Sequence, residues 1–156
     1  MEYCTSNILR RDTVEKKTFK KELGKILNEY GFRYINKSYY KETEELVVVI
    51  ATQKSNFSDE IYINYGFLIK MESPEIQYPR DNECDVRGRF DFQIKGKQFY
   101  SISLSSLSEK ELSDEVSENM ERLIVPVLDH GLAKYFEMYP ELVVVANLKT
   151  KKYLNL

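Results

Sequence analysis

The run Leu46-Val47-Val48-Val49-Ile50-Ala51 constrains this chain more than any other feature. Its six unbroken apolar residues fall far short of the roughly 20 that a membrane span needs. Its β-branched side chains favour a strand over a helix. A strand that is apolar on every position has no polar face to give to solvent, so it is predicted to be central and covered on both sides.

The segments on either side have different periods. From Thr13 to Tyr30 the residues Phe19, Leu23, Ile26, Leu27 and Tyr30 recur every three to four positions, with Val14 ahead of them, which predicts a helix ending at Gly31. Strand patterns follow. Phe32 to Tyr40 is interrupted by Asn36-Lys37, a turn or bulge, and Glu60 to Lys70 sets Ile61, Ile63, Tyr65, Phe67 and Ile69 against Tyr62, Asn64, Gly66 and Leu68. Residues 72–82, with Pro74 and Pro79, read as a loop. A strand from Cys84 to Ile94 alternates cleanly, and Lys95-Gly96-Lys97 joins it as a hairpin to one further strand, Gln98 to Ser105. Ser108 and Glu111 form a capping-box pattern ahead of an apolar stripe, Leu112, Val116, Met120, Leu123, Ile124, Val127 and Leu128, which Pro126 should kink or divide. Val143-Val144-Val145 reads as a short strand or buried coil, and the residues from Lys149 as a tail.

Helix, about five strands with short links, then helices: the order predicts an α+β fold, an antiparallel meander flanked by an N-terminal helix and C-terminal helices. With 156 residues and no repeat or linker, the chain reads as a single domain, 1–156, with its core at about 13–139 and an extension at 140–156. Thirteen of the 20 Tyr and Phe residues lie between Gly31 and Ser105, where aromatic rings fill a sheet and a minority is left for an interface.

Composition removes several chemistries. Cys4 and Cys84, 80 positions apart, read as free thiols of a reducing compartment. No basic stretch followed by an apolar core opens the sequence, so a cytoplasmic protein with no membrane contact is expected. A single histidine, His130, cannot form a His-His metal pair, and the six glycines are all isolated, so no phosphate loop or nucleophile elbow is present. No metal and no cofactor is expected. Twenty-three basic against 25 acidic residues leave a charge of −2, which argues against nucleic-acid binding.

Three polar stretches stand apart: Gln53 where the apolar strand ends, Asn64 and Gly66 inside a strand that favours neither, and Arg87 with Arg89. Two residues apart on a strand, the arginines share a face about 7 Å apart. If Gln53, Asn64, Arg87 and Arg89 converge, they can grip a carboxylate or phosphate. The alternative is that the arginines pair with Asp85, Asp91 or acids across the strands. Charge is also uneven. Residues 1–41 hold ten basic and five acidic groups, whereas 109–129 hold seven acidic and two basic ones. Glu111, Glu115 and Glu118, with Tyr62, are therefore candidates for a surface that docks a basic protein partner. No residue nominates itself as nucleophile or general base, so no catalytic residue is assigned and an enzyme is the less favoured reading.

At Tyr30-Gly31-Phe32-Arg33, Gln53-Lys54-Ser55, Ile63-Asn64-Tyr65-Gly66 and Cys84-Asp85-Val86-Arg87-Gly88-Arg89 the sequence resembles the bacterial family catalogued as domain of unknown function 4304. The resemblance spans residues 14 to about 130 and implies a bacterial origin and an α+β domain, but no reaction. The functional expectation is a cytoplasmic protein-binding domain, such as an immunity-type antidote to a basic toxin. The alternative is a small-molecule or anion-binding domain using the polar and arginine sheet face. The third is an enzyme with an unrecognised carboxylate site. Oligomeric state is not legible.

Overall fold

Leu46–Lys54 forms β3, the middle strand of a six-stranded sheet. The computed structural model describes the backbone of residues 2–105 and 107–156, and the side chains of 16–105 and 107–156. Cys4 and Val14, placed above as a free thiol and on a helix face, have side chains outside the described residues.

Helix α1 (Glu2–Glu29) leads into β1 (Arg33–Ile35), β2 (Ser38–Glu42), β3 and β4 (Glu60–Ile69). After β5 (Val86–Arg89) come a short hairpin, β6 (Phe92–Ile94) and β7 (Lys97–Phe99), and then β8 (Ile102–Ser103). Helices α2 (Glu109–Asn119), α3 (Val125–His130), α4 (Leu132–Met138) and α5 (Leu148–Leu154) complete the chain. The sheet runs β1-β2-β3-β4-β5, with β8 also paired to β4, and every pairing is antiparallel. This is the expected α+β class.

The register of β3 on β4, Leu46 opposite Ile69 through Lys54 opposite Ile61, sorts the two faces. On the front, Leu46, Val48, Ile50, Ile63, Phe67 and Ile69 pack in one core with Phe19, Leu23 and Leu27 of α1 and with Val116, Ile124 and Leu132. On the back, Val47, Val49, Leu68 and Tyr40 cluster with Cys84, with Ile76 and Tyr78 against them. The loop after β4 thus folds back over the sheet, and the Tyr40 hydroxyl fixes it by donating to the Pro79 carbonyl at 2.9 Å. Both faces of the apolar run are covered, by helices on one side and a loop on the other.

The tight turns form at the predicted places. Gly31 ends the first helix region at φ 87°, Asn36 and Lys37 both take positive φ between β1 and β2, and Lys95 and Gly96 do so between β6 and β7. Ser108 accepts from the Glu111 amide, and Glu111 accepts in return from the Ser108 amide, closing the capping box of α2. The helix does divide near Pro126, through a π-helical turn at Met120–Ile124. There the Val125 amide reaches back to the Met120 carbonyl, and Pro126, lacking an amide N–H, sits in the first turn of the next segment.

Five expectations need correction. The helix is longer than Thr13–Tyr30 at its N-terminal side. The strand expected from Cys84 to Ile94 is two strands in two sheets, because the Asp91 amide donates to Asn119 Oδ1 on α2 and so leaves the main sheet. The single strand expected from Gln98 to Ser105 is likewise split into β7 and β8. Val143–Val145 belongs to a 3-10 turn, Pro140–Val145, and the supposed tail is α5. Asn147 caps α5 by accepting from the Thr150 amide at 2.8 Å, and Thr150 is fully buried. Tyr153 donates to Glu45 at 2.7 Å, and Glu45 also accepts from the Leu132 amide, so one carboxylate between β2 and β3 holds two helices.

Candidate functional site

Back-face positions on three neighbouring strands bring the polar residues together. The register places Gln53 opposite Tyr62, and Asn64 between Ala51 and Arg89, while Arg87 lies beside Gly66. Gln53, Asn64, Arg87 and Arg89 line one open cleft of about 840 Å³, with Tyr100 at its edge. Asp81 and Asn82, on the 3-10 turn Asp81–Glu83, line it too.

The strand glycines make this geometry. A Cβ on Gly66 would stand 2.6 Å from Cys84 Sγ and 3.2 Å from the Asp81 carbonyl oxygen. Only a bare backbone lets the turn lie flat on β4 and form the cleft wall. Gly88 is needed on the opposite face, where the Tyr65 ring occupies the space that a Cβ would take.

Within the cleft, Asn64 is a hub. It is buried, its amide Nδ2 donates to Gln53 Oε1 at 3.0 Å, and its Oδ1 accepts from Arg89 Nε at 2.8 Å. Arg89 Nη2 also donates to Gln53 Oε1 at 3.3 Å, and its guanidinium lies 4.2 Å from the Tyr62 ring centroid. The planar cation is thus held by two neutral oxygens and an aromatic face, with part of its five-donor fork still uncommitted. Arg87 is exposed, and among the described residues its side chain makes no hydrogen bond or ion pair.

The acids expected to neutralise the arginines are engaged elsewhere. Asp85 accepts from the Ile69 amide at 2.9 Å and from Asn147 Nδ2 at 3.2 Å. Asp91 pairs with Arg122 and accepts from Gln98 Nε2. Among the described residues Asp81 is the one carboxylate lining the cleft, beside Arg87 and Arg89, so a positive charge remains in excess there.

The remaining candidates lie apart. Glu111 belongs to the capping box, Glu115 accepts from the Gln93 amide at 3.2 Å, and Glu118 pairs with Arg122 at 3.2 Å. Tyr62 is not with them: it sits on the back of the sheet under Arg89, whereas α2 packs in the front core.

Nucleophilic chemistry finds little here. Burial, followed by the nearby Asp85, Asp81 and Glu83, pushes the Cys84 thiol far up, so it stays protonated and serves as packing. Among the described residues no group of three or more His, Cys, Asp or Glu side chains is placed to hold a metal ion. No helix among them is long and apolar enough to cross a membrane.

Sequence reasoning missed Asp81, Asn82 and Tyr100. The first two lie in a stretch legible only as a loop, and nothing local says that this loop returns over the sheet. The family profile described as Domain of unknown function (DUF4304) matches residues 23–130, more than half of the chain. No curated protein matches, and no solved structure does.

Proposed function

Since the chain belongs to the DUF4304 family, whose name assigns no reaction, we propose from its own geometry that it is a small-molecule-binding domain for an anionic ligand. The ligand's carboxylate or phosphate sits in the cleft of Gln53, Asn64, Arg87 and Arg89. One observation carries this reading: two arginines at alternate positions of β5 face a cleft with no carboxylate bonded to either among the described residues. Two cations beside a single carboxylate, Asp81, leave a net positive charge in the cleft that costs electrostatic energy, and a bound anion offsets it. Arg89 is positioned in advance by Asn64, Gln53 and Tyr62, which lowers the entropy lost when it binds.

The protein-docking reading has less to stand on. Each of Glu111, Glu115 and Glu118 makes a bond within its own chain, so a basic partner would compete with existing contacts.

Calorimetric titration with inorganic phosphate at low ionic strength tests the proposal. Binding should be saturable, and Arg87→Gln and Arg89→Gln should each weaken it by about 10-fold to 100-fold, the loss of charge-assisted hydrogen bonds. If both variants fold and bind phosphate as the parent does, the cleft is not an anion site.

A further inference from the structure

We infer that the ligand is an amphipathic organic anion, with its charged end at Arg87 and Arg89 and an apolar tail in the groove between β5 and the C-terminal 3-10 turn. This inference rests on the anion-binding reading and specifies the class of ligand.

A second hollow, of about 290 Å³, lies against β5. Val86, Phe136, Leu142, Val145 and Ala146 form the apolar side of its lining, and Asn82, Asp85, Arg87 and Asn147 the polar side. Asn82 and Arg87 border both this groove and the arginine cleft, so these two side chains form a junction between the spaces on either side of β5. An arginine at such a junction can lay its methylene stem along the apolar side and present its guanidinium to the polar side. The volume admits about ten groups the size of a water molecule, enough for a short alkyl chain or one ring.

The groove is suited to a neutral tail. Asp85, the carboxylate in its wall, is already satisfied by the Ile69 amide and Asn147. Val145 is 77% exposed, and next to it Val144 is 80% exposed, so apolar surface stands in water at the mouth of the groove. A ligand carrying charge alone would fill the cleft and leave this surface wet. One carrying a tail covers it and gains hydrophobic energy from the same binding event.

Titration with methyl, butyl and hexyl phosphate at constant ionic strength tests this. Affinity should rise by about 4-fold for each methylene that is buried, until the groove is full. Val145→Ser, a neutral polar replacement at an exposed position, should shrink the gain in affinity from methyl to hexyl phosphate, and a gain as large as the parent's would overturn the placing of the tail. Hexyl phosphate binding should also fall in Arg87→Gln. Equal affinity for the three phosphates overturns the amphipathic ligand while leaving the anion site in place. Failure of all three to bind overturns both. Hexyl phosphate binding that is insensitive to Arg87→Gln and Arg89→Gln overturns the assignment of the charged end.

Discussion

Gly66 and Asn64 share one strand and settle what the back of the sheet can be. Gly66 admits the 81–84 turn, and Asn64 ties Gln53 to Arg89. Gly66→Ala should destabilise the protein by about 1–3 kcal/mol, because the new methyl meets both Sγ and Cβ of Cys84 in a packed cluster. Urea unfolding of Gly66→Ala, Cys84→Gly and the double variant checks this, because only glycine at 84 removes both the Sγ and the Cβ that the new methyl meets. The double variant should lose less than the sum of the singles, whereas strict additivity would place the strain elsewhere. Both strand residues are legible in the sequence because each violates strand propensity. Gly88 is harder to read, since its reason is the Tyr65 ring on the neighbouring strand, and that contact exists only after the register is set.

At the scale of elements, Asn119 accounts for the largest departure from the expected strand pattern. Fully buried on α2, it accepts from the Asp91 amide and donates to the Asp91 and Glu115 carbonyls. Alternation from Cys84 to Ile94 correctly places Val86, Phe90 and Phe92 inward, but it carries no information on which partner receives each backbone amide. Asn119→Ala should cost about 1–3 kcal/mol by leaving buried polar groups unpaired. It should also speed amide hydrogen exchange in β6 and β7 more than in β3 and β4. Uniform acceleration across the sheet would contradict a local role. Helix α5 escaped detection for a related reason: its seven residues are too short for periodicity, and its burial depends on the distant Glu45.

Across the whole molecule, phenol hydroxyls bond carboxylates that lie far away in sequence. Tyr30 donates to Glu121 and Tyr153 to Glu45, each at 2.7 Å. Burial first and then Glu121 raise Tyr30 from the usual 10 to about 12, and for Tyr153 the hydrogen bond to Glu45 comes first. A raised folded pKa means that the folded state holds the proton more tightly than the unfolded chain. The stability from these two groups is therefore complete below pH 10 and is lost as pH rises from about 10 through about 12. The unfolding free energy should fall over that window, less steeply in a Tyr30→Phe, Tyr153→Phe double variant. An unchanged slope would contradict this linkage. Tyr65 and Tyr135, whose hydroxyls meet at 3.1 Å in the core, are also raised by burial and contribute to the remaining fall.

The class of fold, the central strand and the four cleft residues are legible in the sequence because each leaves a local mark: a β-branched run, an out-of-place Asn or Gly, an alternating Arg pair. The cleft wall, the apolar groove and the last helix are not, because each is made by segments that meet only in three dimensions. The central claim, that the arginine cleft binds an anion, is tested most directly by following the arginine Nε–H signals by NMR while inorganic phosphate is added. The Nε–H signals of Arg87 and Arg89 should shift saturably together with the Asn64 side-chain amide, ahead of any change at the lysines of α1. Shifts that are absent at these groups, or spread evenly over the basic surface, would contradict it.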